Sequence, residues 1–222
     1  MNVKNELNKL DFRKEIFSDN NKVRKKFRKA FHCEIERFIE AVFRAYKTCK
    51  SIDNKCKGNK QRSYIAAFLF SGINNLVSSF HLLISGYLVP SGNLMRQFME
   101  SLAMAILLSN RDLNYSERFE KEGNKFPVHK ALNYVLKDAS KLKINRRGWE
   151  EFLKIEKFYD FTSHASAFAL ANMFHFSRKG VVIIGADFDP AKLKAYAKEI
   201  NTRISGANCL ENIVEGIQRE QF

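Results

Sequence analysis

Proline is scarce in this chain, three residues in 222, and glycine accounts for only ten. So few chain breakers leave room for long helices and little material for a turn-dense β fold. Cysteine is equally sparse. Cys33, Cys49, Cys56 and Cys209 include no close pair of the kind that binds zinc. Their spacing suggests no disulfide framework either, so they read as reduced thiols of a cytoplasmic protein. The opening stretch, MNVKNELNKLDFRKE, has no apolar run, which argues against a signal or transit peptide. Neither a repeat of fixed period nor a low-complexity tract is found.

Negative charge is the other shortfall, with 24 Asp+Glu against 38 Lys+Arg and a net charge of +14. The imbalance sits near the start: 18 basic and 8 acidic residues up to Arg62, then 20 against 16. Such a region attracts phosphates, anionic lipid or an acidic partner through its long-range field. The expected organisation is a basic helical region over 1–62 and a helical bundle over 63–222.

Apolar bulk is plentiful. Hydrophobic residues make up 45% of the chain, twenty of them Phe, enough to bury a substantial core. The run from Tyr64 to Val89 carries no charge at all and is long enough to cross a bilayer. Nine of its residues are Ser, Gly, Asn or His, however, and lipid would leave their polar groups without partners. A membrane span is therefore not expected. At 100° per residue, Ser71, Asn74, Ser78, His81 and Ser85 form one stripe, while Leu69, Ile73, Leu76, Phe80 and Leu83 take the other side. An uncharged polar stripe is expected to pack against another helix or line a polar interior, with this helix as the central post of an all-α bundle.

Helical spacing recurs along most of the chain. It predicts helices over about 20–50, from the loop after Gly58 to Val89, over 93–109, 116–125, 128–142 and 149–176. The stretch RKGVVIIGADFDP reads as a short extended segment near 181–184. Asp189 then caps a helix with Pro190 in its first turn, and ISGAN is expected to separate two terminal helices.

Chemistry is sought where charge interrupts apolar helices. In NLMRQFMESLAMAILLS, Arg96 and Glu100 lie one turn apart and share a face with core residues, so a partly buried ion pair is expected. In FYDFTSHASAFALANMFHF, Asp160 and His164 have the same spacing. A carboxylate one turn from an imidazole can fix its tautomer and raise its basicity, as acid–base catalysis requires. Ala171 and His175 are expected to continue that helical face. Arg24, Lys25, Lys26, Arg28 and Lys29, in KVRKKFRK, could bind nucleic acid, although such runs are commonly just a solvated face. No Glu-x-x-His, His-Glu-x-x-His or glycine-rich phosphate loop occurs, so neither a metal nor a cofactor is expected.

The combination of LMRQFMES on one helix, FYDFTSHASA on a later one and a DP start to the terminal helices resembles a group of bacterial all-helical proteins. Their signature is an Arg-x-x-x-Glu helix followed by a Tyr-x-x-x-Ser-x-His-like helix. That group is similar in topology to the HEPN superfamily, and the resemblance spans about Tyr64 to Gln218. It implies an RNA-engaging toxin or phage-defence effector, acting as a homo-oligomer, with metal-independent ribonuclease chemistry at Arg96, Glu100, Asp160 and His164. One feature departs from HEPN, whose nuclease motif places four to six residues between an Arg and a His on one helix. Arg28 and His32 come nearest, as Arg-x-x-x-His, in a different helix. A second reading of the same residues is a non-enzymatic binding or oligomerisation module. In it the cluster Arg96, Glu100, Asp160 and His164 is architectural, a basic arm engages the nucleic-acid or protein partner, and Asn74, Ser78 and His81 supply interior hydrogen bonds.

Overall fold

Helical spacing becomes ten α-helices in the computed structural model, which describes residues 9–56, 58–164, 166–178 and 181–221. They are α1 (Lys9–Ile16), α2 (Asn21–Ala30), α3 (His32–Asp53), α4 (Lys60–Ile84), α5 (Leu88–Ser109), α6 (Tyr115–Glu122), α7 (Ala131–Lys137), α8 (Arg146–Ser163), α9 (Ala167–Asn172) and α10 (Leu193–Gln221). The chain is all-α. No strand forms among the described residues, and the expected extended segment contributes one isolated antiparallel bridge, Phe174 to Val182.

The bundle is organised around α5. Its residues Ser101 to Leu108 are buried on every side, so neighbours surround that half of the helix completely. The main packing partners are α4 and α8 against α5, and α3 against α10. The post is thus α5 rather than α4, which carries most of the charge-free run. Helix α4 is long and apolar enough to cross a membrane by length and composition alone. It instead buries Leu69, Ile73, Leu76, Phe80 and Leu83 within the bundle.

Its polar stripe does not line a polar interior, one of the two expectations, although it meets neighbouring helices where Ser71 Oγ lies 3.3 Å from Ser101 Oγ of α5 and Arg24 of α2 reaches His81 and Ser85. Ser71, Asn74 and His81 are exposed, Ser78 is half-buried, and only Ser85 is buried. The reason is geometric: a helix that gives one side to α5 and the core must turn the opposite side outward. The buried polar residue of α4 is Ser79, one position out of the stripe.

Several helix boundaries differ from the periodicity, each for a local reason. The charge-free run is split at Gly86, whose φ of +90° is accessible mainly to glycine. Pro90 then sits in the first turn of α5, where its missing N–H is no loss. The expected helix over 20–50 is two, bent at Phe31, which has φ −135°. The expected helix over 149–176 stops at Ser163, and His164 is extended beyond it. ISGAN does not break α10 at all. A Cβ on Gly206 would lie 3.0 Å from the Phe98 ring, so this glycine lets α10 and α5 approach closely.

Where the helices converge, Arg203 of α10 is fully buried. Its Nε donates to Ser79 Oγ of α4 (2.9 Å) and its Nη2 to Ser91 Oγ of α5 (2.5 Å). Its Nη1 donates to the carbonyl and the carboxylate of Glu199, both at 2.8 Å. The Tyr159 hydroxyl of α8 donates to that same carboxylate at 3.0 Å. A buried charge is tolerated only when so partnered. Arg203→Ala, which strands Glu199 and two buried hydroxyls, is expected to lower the unfolding free energy by about 3–5 kcal/mol in urea titrations.

Candidate functional site

Arg96 lies in the third turn of α5, one turn before Glu100, and α8 crosses beside it. Its Nε is 3.2 Å from Glu100 and 3.5 Å from Glu156, while Nη1 is 2.8 Å from Asp160. Asp160 Oδ1 is in turn 3.5 Å from Nε2 of His164. The four residues singled out from the sequence therefore do meet. Glu156 joins them, one turn before Asp160 on the same face of α8, a spacing that was legible in the sequence.

The electrostatics of this cluster oppose phosphate chemistry. One guanidinium is shared by three carboxylates, a formal balance of −2, so it is already occupied when a substrate phosphate arrives. Burial pushes the Glu156 carboxyl above its usual range, an effect that Arg96 only partly offsets and that Asp160 and Glu100 reinforce. His164 has 71% of its side chain exposed and stands beyond the end of α8 rather than within a cleft. Among the described residues no group of three or more His, Cys, Asp or Glu is placed to hold a metal ion.

The other candidate, the basic run, divides in two. Arg24 is spent on structure: its Nε donates to Ser85 Oγ (2.9 Å) and its Nη2 to His81 Nε2 (3.0 Å), fastening α2 to the stripe of α4. A guanidinium only donates, so that ring nitrogen is the acceptor. Phe27, on the inner side of α2, is fully buried and packs edge-on against Phe188 at 4.9 Å and on Tyr196 at 4.8 Å. Lys25, Lys26, Arg28 and Lys29, with Lys22, face solvent. Among the described residues none of these five has a carboxylate within ion-pair distance. A helix anchored through Arg24 and Phe27 thus presents five cations without a carboxylate partner among the described residues.

His175 is a third titratable feature, which periodicity assigned wrongly to the face of Asp160. Because the chain leaves helix after Asn172, His175 is instead buried. Nε2 lies 3.2 Å from Asp187, and Nδ1 lies 3.6 Å from the fully buried Asp189. Burial works to raise the Asp189 carboxyl, but hydrogen bonds from Ser177 and the Ala191 and Phe176 amides outweigh it and hold it down at about 2. These contacts clamp the 174–189 segment onto the start of α10. A cavity of 480 Å³ lies elsewhere, lined by Ile106, Trp149, Phe152, Cys209 and Ile213.

No protein-family model, curated protein or solved structure matches this chain. Function must be argued from the side chains themselves.

Glu156 supplies a test of the cluster. A carboxyl with a raised pKa favours the fold most below its ordinary pKa, and loses that contribution as pH rises through the raised value. Glu156→Gln is therefore expected to exceed the parent's stability at pH 7, or to match it within about 0.5 kcal/mol. Arg96→Ala, which leaves three carboxylates together, is expected to cost about 2 kcal/mol or more. Denaturant titration of both variants makes the comparison.

Proposed function

We propose that the protein is a non-enzymatic helical docking module that engages a phosphate-rich polyanion through α2. The observation that carries this reading is the row of exposed cations, Lys22, Lys25, Lys26, Arg28 and Lys29, without acidic partners among the described residues. It is held on a helix that Phe27 and Arg24 lock to the bundle. A fixed array gains the counterion-release energy of polyanion binding without first ordering a flexible arm.

The ribonuclease reading, and with it the HEPN resemblance, draws on the meeting of Arg96, Asp160 and His164. It needs a guanidinium free to stabilise charge developing on phosphate. Arg96 is held by Glu100, Glu156 and Asp160, and the surrounding charge repels an anionic substrate. The cluster is better suited to locking α5 to α8.

The parent protein is expected to bind heparin, a soluble polyanion, with an affinity that falls steeply between about 50 and 200 mM salt. The combined Lys25→Ala, Lys26→Ala and Lys29→Ala variant is expected to bind roughly a hundredfold more weakly and with a shallower salt slope. Equal binding by the parent and this variant would defeat the proposal. The parent is also expected to leave a mixed RNA pool intact without added metal. Cleavage that disappears in both Arg96→Ala and His164→Ala would restore the nuclease.

A further inference from the structure

The cations of α2 have unusual neighbours. Helix α1 precedes them; its Glu15 is taken up within the protein, and its Asp11 pairs along the helix with Lys14. Glu15 Oε1 accepts from the Ala186 amide (2.9 Å) and from the Tyr87 hydroxyl (3.1 Å). Asp11 is half-buried and lies 3.9 Å from Lys14. The outward side of α1 is left with Arg13, the Lys14 ammonium and large apolar groups. Ile16 is 74% exposed and Phe17 78%, with Leu10 beside them at 64%.

The segment that Glu15 touches is apolar in the same way. Phe174 and Val182, joined by the β-bridge, and Ile184 are all exposed. Arg178 is the exposed charge of this segment among its described residues from Met173 to Ile184. Its acids, Asp187 and Asp189, are drawn inward to His175. The other flank of this end is α2 itself, through the contact of Phe27 with Phe188. From Lys9 to Lys29 the exposed acidic residue is Asp19, which accepts from the Asn21 amide at 2.9 Å and so caps the start of α2.

One end of the molecule therefore displays projecting apolar side chains next to cations of α2 that lack a carboxylate partner among the described residues, with Glu15, Asp187 and Asp189 turned inward and Asp19 as its exposed acid. A second copy of the chain would bring cations against cations. A nucleic acid would satisfy the charge but could not use Ile16, Val182 or Ile184, which have no ring to stack on a base. An anionic bilayer surface uses both, taking the apolar groups at the headgroup boundary and the cations at its phosphates.

We infer that this end of the molecule, α1, the described residues 174–178 and 181–184, and α2, docks peripherally on an anionic lipid bilayer. The inference rests on the polyanion reading of α2 and names the source of the phosphate. Nothing crosses the membrane in this arrangement. Phe17 and Ile16 enter the interface while Lys25, Lys26 and Lys29 contact the headgroups.

The test is flotation of the full chain with vesicles of mixed phosphatidylserine and phosphatidylcholine, and with pure phosphatidylcholine vesicles. Three variants accompany it. Ile16→Ser with Phe17→Ser removes apolar groups that are already exposed, so folding is not at stake. Lys25→Ala, Lys26→Ala and Lys29→Ala removes the charge, and Phe17→Trp reports depth by its fluorescence. Binding is expected to the mixed vesicles and not to pure phosphatidylcholine. It should fall at least tenfold in the serine variant and roughly a hundredfold in the alanine variant, and the emission of the introduced indole should shift to the blue on binding.

Vesicle binding that the serine variant retains in full would overturn the inference. So would tighter binding to an RNA oligonucleotide with no vesicle binding, or self-association abolished by the serine substitutions. Heparin binding without vesicle binding would sink the lipid assignment alone. Failure to bind heparin, RNA or vesicles would remove the underlying polyanion reading as well.

Discussion

Four helices meet on a single buried charge. The guanidinium of Arg203 reaches Ser79 on α4, Ser91 on α5 and Glu199 on its own helix, and Glu199 receives the Tyr159 hydroxyl of α8. A charge in this position admits few arrangements, because displacing any partner leaves a buried polar group unsatisfied. Apolar packing between helices tolerates small slips, whereas this network fixes their relative register. The position of Tyr159 also fixes that of Asp160, the next residue of α8. In the same way the anchoring of Ser91 on α5 constrains Arg96 a little over one turn later. The Arg96 cluster is thus downstream of the Arg203 network: the ion pairs between α5 and α8 form where the hydrogen bonds of Arg203 and Glu199 to those helices place them.

The surface charge follows a related division. Acids near the amino-terminal end serve internal purposes: Glu15 ties α1 to Ala186 and Tyr87, and Asp189 gathers the 174–189 segment. The cations of α2, Arg24 excepted, have no such duty. A net charge of +14 therefore does not describe an evenly basic protein. It describes one in which Glu15, Asp187 and Asp189 of one end are bonded inward while the ammonium groups of α2 face outward, next to aromatic and aliphatic side chains in solvent.

Much of this was legible in the residues. The all-α class follows from helical spacing and the shortage of breakers. The pairs Arg96–Glu100 and Asp160–His164 followed from one-turn spacing, and Glu156 was available by the same rule. Other features were not. The stripe Ser71, Asn74, Ser78, His81 and Ser85 is correct as a helical face, but periodicity separates two sides without saying which looks inward. Ser79, outside that stripe, proved to be the buried hydroxyl because Arg203 lies opposite it. His175 was placed on the wrong surface because composition did not reveal that helix ends at Ser163 and again at Asn172.

By itself the sequence determined helix content, the concentration of positive charge in α2, and the pairing of residues one turn apart. These depend on local geometry and on charge that no fold can remove. Only the tertiary structure decided which charges are spent. Arg24 looks in the sequence like Lys25 and Lys26, yet it is bonded to Ser85 and His81 while the two lysines have no carboxylate partner among the described residues. That distinction depends on groups tens of residues away, brought close by packing around α5 and Arg203, and no local pattern encodes it.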